Sequence, residues 1–85
     1  MITGAQIRAA RALLQWSTAA LARRCGVIQE LIREAESING APNLKVAEIA
    51  AIESALKAGG VEFIDGEYYG VRMKRDRLGL RKHGA

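Results

Sequence analysis

The run Ser17-Thr18-Ala19-Ala20-Leu21-Ala22-Arg23-Arg24-Cys25-Gly26-Val27 constrains this chain more than any other stretch. Ser17 is a residue type that accepts a hydrogen bond from the free amides at a helix start. The Ala/Leu spacing after it is helical, with Leu21 and Ala22 pointing inward. Gly26 supplies the left-handed backbone on which a helix ends at little steric cost. Ile28-Gln29-Glu30-Leu31-Ile32-Arg33 then opens a second amphipathic segment at once.

The order helix, glycine, helix is that of a helix-turn-helix, an arrangement that sets its second helix into a DNA major groove. Upstream, Thr3 with Gln6 three residues later has capping-box spacing. Ile7, Ala10 and Leu14 continue from it as an apolar face, extended by Leu13 and Trp16. Downstream, Ser37-Ile38-Asn39-Gly40-Ala41-Pro42-Asn43 reads as a loop, since it contains Asn-Gly and the single proline. Asn43 is the expected cap of a fourth helix, with Val46, Ile49, Ala50 and Leu56 as its stripe and Ile52 beside it. Past Gly59-Gly60 the apolar period falls to two. Val61-Glu62-Phe63-Ile64, the turn signal Asp65-Gly66 and Glu67-Tyr68-Tyr69-Gly70-Val71-Arg72-Met73 predict a β-hairpin with a two-residue turn.

The predicted fold is mainly α, a compact four-helix helix-turn-helix domain with a C-terminal β-hairpin. Helices are expected at about 3–15, 17–25, 28–36 and 44–58, and the hairpin at about 61–73. Residues 1–74 form the one domain, and 75–85 a basic, flexible tail. Eighty-five residues with 49% hydrophobic content allow a single modest core. Aromatics are only 5%, so Leu, Ile, Val and Ala must build it.

The formal net charge is +4 and the sequence pI about 9.7, which fits an anionic partner. The charge is unevenly placed. Residues 71–85 carry six basic side chains against Asp76, whereas residues 42–70 carry two lysines against five acids. A basic end of this kind supplies phosphate contacts. It is equally the composition of a solvated terminus. A lone cysteine excludes an internal disulfide and fits a reducing cytoplasm. No apolar run approaches the roughly 18 residues a membrane span needs. Met1-Ile2-Thr3 leads into a helix rather than a signal peptide, so a cytoplasmic chain without a membrane partner is expected.

These elements resemble the lambda-repressor and Cro-like helix-turn-helix family of bacterial and phage transcriptional regulators. The resemblance rests on Ile7-Arg8, Arg11, Trp16-Ser17, Leu21-Ala22, Gly26-Val27, Ile32, Glu36 and Ala55-Leu56, spanning about residues 3–58. It implies a structural salt bridge between Arg11 and Glu36. It further implies that the third helix reads bases through Ile28, Gln29, Glu30 and Arg33. Gln29 suits adenine, Arg33 guanine, and Glu30 the amino group of cytosine. The DNA-binding set is completed by Thr18, Arg23, Asn39 and Lys45. Thr18 stands where the family usually has a phosphate-binding Gln, and Ile28 where it usually has Ser or Thr. Glu30, Glu34 and Glu36 against Arg33 leave the third helix acidic.

Double-stranded DNA is therefore the expected partner, bound by a homodimer joined through the hairpin. Phe63, Tyr68, Tyr69 and Val71 are its expected dimer or partner contacts. Tyr68 and Tyr69 should alternate across a strand, one buried and one exposed. The alternative is a degenerate helix-turn-helix that binds another regulator as a protein-interaction module, favoured by the acidic third helix and the aromatic hairpin. An enzyme is not expected, since no titratable constellation is present. Neither a cofactor nor a metal is expected, since His83 lacks companions at ligand spacing. Cys25 reads as a packing residue and Trp16 as filler between the first two helices.

Overall fold

Thr3 sets the start of the first helix, α1 (Gly4–Leu14). Its hydroxyl accepts from the Gln6 amide at 3.1 Å, and the Gln6 side chain accepts from the Thr3 amide at 2.9 Å. That reciprocal box satisfies two amides no helical carbonyl can reach. Gln15 ends the helix in a left-handed conformation. Ser17 then accepts from the Ala20 amide at 3.0 Å and opens α2 (Thr18–Cys25). Gly26, at φ 74°, closes α2, and α3 (Gln29–Glu36) follows with Ile28 at its cap position. The computed structural model describes residues 1–74, so the expected tail at 75–85 and His83 lie outside the described residues.

Helix α4 (Val46–Ala58) starts two residues later than expected, and its cap is Lys45 rather than Asn43. The Lys45 amide is met by the Glu48 carboxylate at 3.0 Å. Its apolar stripe is Ile49, Ile52 and Leu56, while Val46 and Ala50 are exposed. At about 100° per residue, Val46 and Ala50 lie roughly 90° and 130° from the middle of that stripe. The helical period was right and its phase was wrong.

Strands β1 (Val61–Ile64) and β2 (Gly70–Met73) pair antiparallel, Val61 with Met73 and Phe63 with Val71. The connection is the five-residue loop 65–69, not the two-residue turn that Asp65-Gly66 signalled. A two-residue turn would set Tyr68 and Gly70 opposite Phe63 and Val61. The observed register puts four apolar side chains on the inward face, and burial of that face fixes register more strongly than turn propensity. Tyr68 and Tyr69 thereby leave the strand, and both are exposed instead of alternating. Phe63 and Val71, expected at a partner surface, pack half-buried on the core of their own chain.

The core takes side chains from every helix: Ile7 and Ala10, Leu21 and Ala22, Ile32 and Ala35, Ile49, Ile52 and Leu56, closed by Ile2 and Val61. Leu31, expected inside, is only partly covered. Trp16 lies over the end of α4 rather than between α1 and α2. Its ring sits under the Arg24 guanidinium, 4.2 Å from the centroid, and a Cβ at Gly59 would come within 2.8 Å of it. Helices α1 and α4 cover the inward face of the hairpin. Gln6 is buried and donates to the Ile64 carbonyl at 3.1 Å and the Gly70 carbonyl at 2.9 Å, across the mouth of the loop.

Gly4 is the tightest approach in the fold. Its amide donates to the Gly40 carbonyl at 2.8 Å, and a Cβ there would run into the backbone oxygens of Ala35 and Ile38. Backbone cannot swing aside as a side-chain tip can. Gly4→Ala is therefore expected to destabilise the domain by about 2–3 kcal/mol. Circular-dichroism melting should show a drop of roughly 10 °C or more; an unchanged melting temperature would contradict this packing.

Candidate functional site

Helix α3 has one face committed to the fold and one free. Ile32, Ala35 and Glu36 are buried, whereas Glu30, Arg33 and Glu34 are exposed. The buried end is held by α1. Arg11 donates from Nε and Nη2 to the two oxygens of Glu36, each at 2.8 Å, and from Nη1 to the Trp16 carbonyl at 3.0 Å. The Glu36 hydrogen bond raises the Arg11 pKa further, against the opposing effect of burial. Two parallel charge-assisted bonds fix orientation as well as distance.

Arg8, one turn earlier, reaches the same helix end. It donates to the carbonyl oxygens of Glu36 and Ile38 and to the Asn39 side-chain oxygen. The last carbonyls of a helix lack partners within it, and a cation there also offsets the helix dipole. Asn39, placed by sequence in the DNA-binding set, accepts from Arg8 with its side-chain oxygen as part of the clamp on α3, and the residue itself is exposed. The signal for Arg8 was its position three residues before Arg11, on the same face of α1.

At the other end, α3 meets the start of α2. Gln29 Nε2 donates to Thr18 Oγ1 at 2.7 Å, so the first residues of the two helices are tied together. This leaves Gln29 its carbonyl oxygen and one further N–H. Ile28 is 65% exposed and makes no side-chain cap bond. One helical turn on, Arg33 Nη1 lies 3.0 Å from Glu30 Oε1, with both side chains open to solvent. Arg23 and Lys45 are exposed, and neither makes an ion pair within the described residues.

The three α3 carboxylates therefore differ. Glu36 is matched by Arg11 and turned inward, Glu30 is matched by Arg33, and Glu34 alone is unmatched among the described residues. Cys25 is half-buried beside the core, and desolvation pushes its thiol pKa up. Among the described residues no group of three or more His, Cys, Asp or Glu is placed to hold a metal ion. No helix there is long and apolar enough to cross a membrane.

At the hairpin, Ile64, Tyr68 and Tyr69 are exposed. A hollow of about 170 Å³ lies beside Tyr69, lined by it with Ala5, Gln6, Ala9 and Gly70. Compared with known proteins, the chain matches no protein-family model and no curated protein.

Two outcomes check this geometry. Glu36→Ala strands a partly buried guanidinium, and the expected loss is about 3 kcal/mol, the low end for a buried pair because Arg11 keeps some solvent contact; chemical denaturation measures it. The raised thiol pKa predicts that Cys25 reacts with iodoacetamide at pH 8 more slowly in the folded protein than in denaturant, because the thiolate is the nucleophile. Equal rates in the two states would contradict that environment.

Proposed function

We propose that this protein is a DNA-binding transcriptional regulator of the lambda-repressor and Cro-like kind, with α3 entering the major groove. The observation that carries the reading is the two-sided mounting of α3. Arg8 and Arg11 hold its inner end, the Thr18–Gln29 bond ties its outer start to α2, and Gln29, Glu30 and Arg33 are left to face a ligand. Recognition of base edges needs side chains on a rigid element held from behind.

With Glu36 matched by Arg11 and Glu30 by Arg33, one α3 carboxylate, Glu34, is left unmatched among the described residues. An exposed Glu30–Arg33 pair is worth only about 0.3–0.5 kcal/mol, so releasing it opposes base contact weakly. A bidentate Arg–guanine contact discriminates by about 1–3 kcal/mol. Arg23 and Lys45 remain for phosphates. The dimer contact of this reading falls on Ile64, Tyr68 and Tyr69, the hairpin residues that the core leaves uncovered. The same exposed cluster also supports a second reading, a module that docks another regulator there without DNA.

Fluorescence titration at low salt with the duplex best enriched from a random pool tests the first reading. Expected are binding that weakens steeply with salt, a loss of about 1–3 kcal/mol each for Gln29→Ala and Arg33→Ala, and a salt slope shallower by about 0.9 for Arg23→Ala or Lys45→Ala. Absence of binding to any duplex sinks it. Crosslinking to a protein partner without DNA, lost in the double variant Tyr68→Ser/Tyr69→Ser, would select the second.

A further inference from the structure

The loop after α3 contains Asn39-Gly40, and both residues are exposed. An asparagine side chain carries an electrophilic carbon, Cγ, and the backbone nitrogen of the next residue can attack it and close a ring. Glycine, with no Cβ, hinders that nitrogen least. The space around Gly40 is open as well: an added Cβ would meet nothing within 4 Å. Among the described residues the Gly40 amide donates to no acceptor, so the fold does not tie up the nucleophile.

The electrophile has a charged neighbour. Arg8 donates to the Asn39 side-chain oxygen. A guanidinium has donors only, so the oxygen, not the amino group, faces it. The same guanidinium is anchored on the Glu36 and Ile38 carbonyls. A donor fixed at this oxygen stabilises the negative charge that gathers there when Cγ is attacked, as in acyl transfer. We propose that Asn39 is a site of spontaneous deamidation assisted by Arg8, a covalent modification of the clamp on α3.

A solvent base takes the Gly40 amide proton, the nitrogen bonds to Cγ, and the side-chain amino group takes a proton from water and leaves as ammonia. Water then opens the cyclic imide. Attack at Cγ breaks the new bond and restores the main chain with aspartate at position 39. Attack at the main-chain carbonyl carbon gives iso-aspartate, a chain one methylene longer. Arg8 polarises the Cγ carbonyl and so favours aspartate, and the Gly4 amide on the Gly40 carbonyl at 2.8 Å leaves a longer chain little room. The net change is one water consumed and one ammonia released. A neutral acceptor thereby becomes a carboxylate paired with Arg8, which makes the bond shorter and stronger. The site stands whether or not α3 meets DNA.

The test incubates the full chain at pH 8 in heavy-oxygen water, which labels the new carboxylate, and maps peptides by mass spectrometry. Asn43, exposed but followed by Leu44, is the internal comparison. Arg8→Met keeps an unbranched stem and removes every donor, and circular dichroism checks that it stays folded. In the folded state Asn39 should react about ten-fold faster in the wild-type chain than in Arg8→Met. In urea, where Arg8 no longer reaches Asn39, the two rates should converge. The folded wild-type chain should yield chiefly aspartate, with the iso-aspartate share rising in urea. An Asn39 that reacts no faster than Asn43 overturns the site. Equal folded rates for wild type and Arg8→Met overturn the role of Arg8. So does an identical product ratio in folded and denatured wild-type chain, a comparison that needs no variant.

Discussion

The bidentate pair between Arg11 and Glu36 connects the last turn of the first helix to the last residue of the third, 25 positions away. Helix α3 has eight residues, too few to be stable alone in water. Its buried apolar contribution is small, chiefly Ile32 and Ala35. Two parallel hydrogen bonds at its end fix its orientation against α1. Arg8 adds a second arm to the carbonyls just beyond, and Gly4 lets that end lie directly against the start of α1. Helix α1 is in this sense a mount, and α3 is what it mounts.

Gln6 extends the same logic to the hairpin. One side chain closes the α1 cap and spans the carbonyls on either side of the 65–69 loop. A buried amide is tolerated only when its groups are bonded, and here they are. Helix α1 therefore positions both surfaces proposed to meet partners: the outer face of α3 and the exposed residues of the hairpin. The two are distinct in chemistry. The first is polar and charged around Ile28, and the second is aromatic and apolar around Tyr68 and Tyr69. That contrast is why one is read as facing nucleic acid and the other as facing protein.

The electrostatics of α3 show why charge counted along a sequence misleads. Three glutamates against one arginine describe a helix that repels phosphate. Folding divides those carboxylates among three surroundings, and only Glu34 keeps an unmatched charge among the described residues. The division depends on an arginine from another helix, which the family resemblance implied and no count within α3 alone gives. Asn39 illustrates the same dependence, since its side-chain oxygen accepts from Arg8 across the fold.

Sequence alone determined the number and order of the elements, because each carries its own local signal. Thr3 and Gln6 form a cap, Ser17 opens one helix and Gly26 ends it, and the change of period after Gly60 announces strands. These are interactions between residues three or four apart, or backbone preferences of single residues. The phase of α4, the length of the hairpin loop and the course of Trp16 were decided by the tertiary structure. Asp65-Gly66 is a sound local signal for a tight turn, yet burying Val61, Phe63, Val71 and Met73 on one face outweighs it. The reason is one of range: a turn or cap is settled by its neighbours, whereas register, facing and pairing depend on which distant surface is available to cover an apolar or charged group.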